Sequence, residues 1–460
     1  MRWRAEPVTP HTPGAMDFTL SSYGTASSTP APVNRMMEAF ADDFRPGRDI
    51  NLGVGYVNES TIPAGLVLEE LQRVIADPAR HKTPFNYGGP RGSARLIQSI
   101  SDFITRTGRG GLNRGHLKGR GIIIGASGAT SLLEAMAQVI RPGIVITSDP
   151  MYYIYCNLLE RMGFHVIAIP EDDCGLRTDL LYERIDRLGD RCRDISFFYI
   201  VSVSNPTATI LSNARRGEIV AAAATLSRAQ GRAIPVLFDT AYDDIVHDPA
   251  CEKPLSALLF DELGIVYESG SLSKILAPAL RIGYLIGSPG PLLNAIMQKT
   301  ADTGFSAPLF SQEIASRILD EHIEQQLDRV NRGYREKARA VKSWIGRELG
   351  PWIENCTGGS AAFYFYLTFR DIATDESSLF FKYLTRTTGD PDIDGPAADR
   401  HARVLYVPGC HCVHPRGELR EQGRRQMRIS YGFEEPERIE QALRLMGEAA
   451  CFCENAGPCA

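Results

Sequence analysis

The sequence predicts an α/β protein with a mostly parallel sheet of about seven strands, followed by a smaller α+β domain. Three observations predict it. Short apolar runs bounded by turn residues recur at 121–126, 143–148, 165–170, 196–201, 235–240, 266–271 and 281–287, and their low polarity is that of strands covered on both faces. Segments of helical period lie between several of them, at 131–140, 154–162 and 215–230, the alternation that builds parallel sheets. After residue 305 the texture changes to apolar residues three and four apart with charges between them.

Taken in order, residues 1–48 are rich in Pro, Ser, Thr and Ala and read as an extended arm with one helix near 33–44. The runs at 266–271 and 281–287 are joined by only about nine residues, too few for a helical crossover, so one strand there is expected to run antiparallel. The segment 306–350 reads as one long or once-broken helix leading into the smaller domain. That domain is expected to hold strands at 361–368, 403–407 and 426–431 and a terminal helix at 436–448. The expected division is 1–60 for the arm and part of the small domain, 61–310 for the large domain, and 311–460 for the linking helix and small domain. No internal repeat is visible.

Composition narrows the function classes. A hydrophobic content of 43% with a net charge of -5 over 460 residues points to a globular protein with no nucleic-acid footprint and no acidic-membrane partner. No run of about 18 apolar residues exists, and the first residues carry charge without an apolar h-region, so neither a membrane span nor a secretory signal is expected. A cytoplasmic location follows by default. Ten scattered cysteines fit reduced thiols better than a disulfide scaffold.

Ligands of open α/β sheets sit beyond the carboxyl ends of the strands, so the residues just after each run carry the chemical argument. After 121–126 comes Ser127-Gly128-Ala129-Thr130-Ser131, small residues at a strand-to-helix turn where backbone N–H groups can approach an anion. Next come Tyr152 after 143–148, Asn205 in Ser204-Asn205-Pro206-Thr207 after 196–201, and Asp239 with Tyr242 at the end of 235–240. Ser271 and Ser273 precede Lys274, and Arg281 opens the last run. Pyridoxal phosphate asks for this whole set: an amine, a carboxylate for its ring nitrogen, donors for its phenolate oxygen, a ring to stack on and a phosphate cup.

Between Asn51 and Tyr431 the chain resembles the fold-type I pyridoxal-phosphate enzymes, the class I/II aminotransferase (aspartate aminotransferase) superfamily. The resemblance rests on Ser-Leu-Ser-Lys274-x-x-x-Pro278-x-x-Arg281-x-Gly283-Tyr284 and on Asp239-x-Ala241-Tyr242 about 35 residues upstream. It implies a three-layer transferase fold and pyridoxal 5'-phosphate as cofactor. It also implies that Lys274 binds the cofactor and shuttles the proton between substrate Cα and cofactor, and that Asp239 pairs with the ring nitrogen. Asn205 and Tyr242 would donate to the phenolate oxygen, and Tyr152 would stack on the ring, in competition with Tyr153 and Tyr155. Gly128, Ala129, Thr130, Ser271, Ser273 and Arg281 would form the phosphate cup. Tyr87, in Asn86-Tyr87-Gly88-Gly89-Pro90-Arg91-Gly92, matches a tyrosine that reaches the neighbouring subunit's phosphate, which implies a homodimer with shared active sites. Arg428 would take the substrate carboxylate, with Gly53, Gly55 and Tyr56 lying over the substrate. The implied activity is amino transfer from an α-amino acid to a 2-oxo acid through aldimine and quinonoid intermediates. Elimination at Cβ or Cγ, or carbon–carbon bond formation and cyclisation of the kind that uses S-adenosylmethionine, is the alternative. A non-catalytic pyridoxal-phosphate regulator is the remote one, since residues 1–48 are short and weakly helical for a DNA-binding module.

Two departures stand next to the site, Ala208 where the family usually has glycine and Ala279 after the lysine-motif proline; both alter backbone freedom. Cys410-His411-Cys412-Val413-His414, with Cys451, Cys453 and Cys459 further on, has ligand-type residues but no second pair at an established zinc spacing, so no metal is expected. Arg106, Arg109, Arg114, Lys118 and Arg120 read as a solvated basic connector.

Overall fold

The computed structural model describes residues 18–77, 83–396 and 399–455. The start of the arm and Cys459 lie outside the described residues. A two-residue strand, β1 (Ile50–Asn51), precedes the large sheet, which contains β2 (Gly121–Ile124), β3 (Ile144–Asp149), β4 (His165–Asp172), β5 (Gly175–Leu176), β6 (Ile195–Val201), β7 (Val236–Asp239), β8 (Val266–Ser271) and β9 (Gly283–Gly287). Their spatial order is β2-β9-β8-β7-β6-β3-β4-β5. The central strands are parallel, while β9 runs antiparallel between β2 and β8, as the short connection requires. The expected seven strands are all present, and β5 makes an eighth at the edge, too short to leave a periodic signal.

Alternate side chains of these strands go to opposite faces, which is why the runs are apolar throughout. Ile122, Ile144, Phe198 and Val236 pack on one face with the helices Ala94–Thr107, Asn213–Gln230 and Leu309–Glu321. Ile123, Val145, Phe197 and Leu237 pack on the other with Gly128–Val139, Tyr153–Arg161 and Pro291–Asp302. Helix, sheet and helix make three layers.

The long helical segment is broken once: Leu309–Glu321 ends and Ile323–Leu349 begins at His322, whose φ of -132° leaves the helical region. Beyond it β10 (Ile353–Gly358), β11 (Tyr364–Phe369), β12 (Val404–Leu405), β13 (Val407–Pro408) and β14 (Gln426–Ser430) follow, then the helix Pro436–Asn455. A second sheet has the order β10-β11-β14-β13, all antiparallel. The strand expected at 403–407 is split at Tyr406: β13 joins this sheet, whereas β12 pairs in parallel with β1. That pairing ties the segment after the arm to the second half of the chain. β10 was not expected because Ile-Glu-Asn-Cys-Thr-Gly has no apolar face.

The connector at 106–120 corrects the solvated reading in part. Arg109 Nε donates to Asp244 Oδ1 at 2.6 Å and Arg120 Nη1 to Asp261 Oδ2 at 2.6 Å, all four side chains being largely covered. Among the five cations, Arg106, Arg114 and Lys118 keep the exposed position first assigned to the whole run.

Candidate active site

A cavity of about 160 Å³ opens at the carboxyl ends of β6, β7 and β8, and it brings together Ala129, Thr130, Tyr152, Asn205, Asp239, Tyr242, Ser271, Ser273, Lys274 and Arg281. These residues come from six separate turns. The sheet supplies the reason: parallel strands present all their carboxyl ends on one edge, and the antiparallel β9 adds Arg281 to it from its amino end.

Lys274 forms the floor. Its Nζ donates to the Gly55 carbonyl at 3.1 Å and lies 5.6 and 5.4 Å from the ring centres of Tyr242 and Phe363. Burial, with the positive charges of Arg428 and Arg281, pulls its amine down to about 8, against the opposing pull of Asp239. Asp239 is buried; its Oδ2 accepts from the Tyr199 hydroxyl at 3.0 Å and its Oδ1 from the Ala241 amide at 3.1 Å. Burial raises its carboxyl, and those two bonds with the Lys274 charge resist the rise. A proton-bearing ring nitrogen placed against it would relieve that cost.

Gly128 opens its helix at φ 65°, and its amide donates to the Arg281 carbonyl at 2.7 Å. Arg281, itself left-handed at φ 55°, turns its guanidinium back onto Ser127, Nε to the hydroxyl at 3.2 Å and Nη2 to the carbonyl at 3.1 Å. The Ser273 amide donates to Ser271 Oγ at 3.1 Å. Helix amides, hydroxyls and a guanidinium therefore converge at one end of the cavity, a donor set suited to a phosphate.

At the other end Arg428 is buried and stacks on Tyr364, 4.6 Å from its ring centre. Its Nη1 donates to Asn205 Oδ1 at 2.8 Å and its Nη2 to the Gly53 carbonyl, while its Nε has no partner. That unsatisfied N–H is a cost the fold retains. Gly53 and Gly55 present carbonyls rather than amides to these cations, and the Gly53 amide donates to Asn51 Oδ1 at 3.0 Å. Tyr56 is exposed at the mouth, edge-on to Phe433.

Of the three neighbouring tyrosines, Tyr152 lines the inner cavity. Tyr155 is committed to the core, its hydroxyl donating to the Leu133 carbonyl at 2.8 Å. Tyr87 is 83% exposed, packs on Phe305 and does not line this chain's cavity. Tyr199, Phe363 and Tyr364 were missed. Tyr199 had a signal, since it shares the face of Val201, which pairs with Asp239 across the parallel register. Tyr364, whose hydroxyl meets that of Tyr242 at 2.8 Å, is brought in by β11 and left none. The Cys/His segment sends its side chains apart, His411 to Glu376 at 2.9 Å, His414 to Glu160 at 3.3 Å and Cys412 toward the Pro408 carbonyl.

An amine, a carboxylate and a phosphate cup at the switch edge of a three-layer α/β sheet define a pyridoxal-phosphate transferase. The chain belongs to the Aminotransferase class I and II family, which it matches over residues 48–443; members of that family use pyridoxal 5'-phosphate. It is similar to the multiple substrate aminotransferase from Thermococcus profundus, with a TM-score of 0.79 and 18% identity over 95% of this chain and 98% of that one. The kynurenine aminotransferase of Pyrococcus horikoshii gives a TM-score of 0.78 and 20% identity, over 95% and 97%. It is also 26% identical to the uncharacterized HTH-type transcriptional regulator YisV of Bacillus subtilis, over 94% of this chain and 79% of that protein. Among the described residues no helix is long and apolar enough to cross a membrane.

Proposed function

We propose that this chain is a cytoplasmic, homodimeric aminotransferase that takes the amino group of an α-amino acid and passes it to a 2-oxo acid. The observation that carries the reading is the position of Lys274 where two cavities meet, the inner one shared with Asp239 and the outer one with Arg428, its amine pulled down to about 8. At that value a useful fraction is unprotonated near neutral pH, which lets the amine both capture an aldehyde and later remove a proton from substrate Cα. When bound, pyridoxal phosphate supplies a conjugated ring that takes up the electron pair left on Cα.

The remaining steps belong to the chain's own groups. Asp239 would keep the ring nitrogen protonated, Asn205 and Tyr242 would hold the phenolate oxygen, and Tyr152 would cover the ring. Gly128, Ala129, Thr130, Ser271, Ser273 and Arg281 would hold the phosphate. Arg428 would fix the substrate carboxylate so that the Cα–H bond points at Lys274 Nζ, and Lys274 would hold the proton taken from Cα. The same reading assigns residues 61–310 to a large domain and the rest to the arm, linking helix and small domain.

A second reading is favoured by one finding, the similarity to a chain named as a transcriptional regulator: a protein that binds the cofactor and an amino acid without turnover. One experiment separates the two. Borohydride reduction of cofactor-loaded protein with peptide mapping is expected to place the adduct on Lys274, and an amino acid is expected to bleach the visible band until a 2-oxo acid restores it. An adduct elsewhere overturns both readings; an adduct on Lys274 with no amine passed on overturns the first. Below pH 8 the rate of cofactor capture is expected to rise about tenfold per unit, as the free-base fraction does.

A further inference from the structure

The helix Pro32–Ala41 uses its two faces for different purposes. Val33, Met36 and Phe40, three and four residues apart, are buried in the core of the second sheet. Asn34, Met37, Glu38 and Ala41 form the stripe on its other side, at the i, i+3, i+4, i+7 spacing of a single helical face, and all four line an outer cavity of about 770 Å³. The far wall of that cavity holds Lys274, Asn205 and Arg428. The helix lies tight against the strand side, for a Cβ added at Gly53 would meet Met37 Cε at 2.7 Å.

The rest of the outer cavity is mostly apolar, with Val54, Tyr56, Phe433, Ile154 and Phe44 among its lining residues. Arg428 is bound to a substrate carboxylate in the reading above and Lys274 faces Cα, so neither cation is left for the substrate's side chain. Among the described residues lining the cavity Glu38 is the one carboxylate, and its backbone carbonyl, not its side chain, takes the Asp42 amide that closes the helix. A side chain entering this space meets mostly apolar walls and a single negative charge. A side chain ending in a carboxylate meets like charge there.

We propose that Glu38 is a specificity-determining residue that receives a cationic group at the far end of the substrate side chain, so that the favoured substrates are amino acids with an aliphatic stem ending in an ammonium or guanidinium. This rests on the aminotransferase reading for the placement of the α-carboxylate and Cα. The apolar lining supplies contact area, and the exposed Glu38 carboxylate at the cavity supplies the discrimination between cationic, neutral and acidic ends.

The test uses the cofactor-loaded full chain with ornithine, lysine, arginine, norleucine and glutamate, measuring dissociation constants by calorimetry and amino transfer to a 2-oxo acid separately. At least one of the three cationic amino acids is expected to bind about two- to fivefold tighter than norleucine, and glutamate weaker than norleucine. Glu38→Gln, a change on an exposed helix face, is expected to collapse the cationic-to-norleucine ratio toward one, and Glu38→Lys to move the preference toward glutamate. The proposal is overturned if none of the cationic amino acids outbinds norleucine, or if Glu38→Gln keeps the ratio. A cationic preference without amino transfer upholds this inference and defeats the aminotransferase reading; absence of binding by every amino acid defeats both.

Discussion

Ala208 stands in the left-handed region at φ 55°, where a side chain strains the backbone by roughly 1–2 kcal/mol. The turn it belongs to carries Asn205, and it is closed by the Ser204 amide on the Thr209 carbonyl at 2.9 Å and the Ala208 amide on the Ser204 carbonyl at 2.9 Å. Glu171 clamps it from outside: the hydroxyls of Thr207 and Thr209 both bond its carboxyl. Burial pushes that carboxyl up from 4.5 to about 8. An acid raised in the folded state stabilises fully below its unfolded value, and that contribution is lost as pH climbs to the folded one. Stability should therefore fall between pH 6.5 and 8 in the natural protein by on the order of 1 kcal/mol more than in Glu171→Gln, read as the difference in Tm between the two pH values. Equal slopes would refute the clamp. At this scale Lys274, Asp239, Asn205 and Tyr242 were legible as candidates because each stands at or just past the end of an apolar run, and Arg281 because it opens the last one. Glu171 was not, because a carboxyl at a strand end looks solvated until the fold lays threonines over it.

Elements were legible in proportion to how far local pattern decides them. The seven main strands and the crossover helices carry their own periodicity, whereas the sequence left 306–350 as one long or once-broken helix and the backbone at His322 decides for the break. β5, β10 and the split at Tyr406 are fixed by partners distant in the chain, and nothing local announces them. The approach of β9 to the helix Gly128–Val139 is of the same kind. A Cβ built at Gly283 would lie 2.1 Å from the Ala129 amide nitrogen and 2.3 Å from the Gly128 carbonyl carbon. Backbone cannot yield as a flexible side chain does, so Gly283→Ala must push the strand away from the helix N-terminus. The expected cost is about 1–3 kcal/mol of stability together with weaker retention of pyridoxal phosphate on dialysis. A variant that unfolds at the same temperature and holds the cofactor as firmly would show that this approach does not build the cup.

At the scale of the whole molecule Tyr87, expected at the site from the sequence, lies outside the cavity of its own chain. Tyr87 is 83% exposed, with Phe85 63% exposed two residues before it and Phe305 against its ring, an apolar surface more suited to contact than to solvent. In a two-fold homodimer the same surface meets itself, and a residue that points away from one cavity can enter the other. The consequence is arithmetical. Lys274→Ala abolishes the chemistry in its own chain's cavity, and Tyr87→Ala weakens the phosphate site in the partner's. In the heterodimer one cavity receives both substitutions and the other neither. Random reassortment of the two variants makes half the dimers mixed, so about a quarter of all cavities become intact and activity should return to about that fraction of the natural protein. Were Tyr87 to serve its own chain's cavity, each mixed dimer would hold one cavity lacking Lys274 and one lacking Tyr87, and mixing would restore nothing.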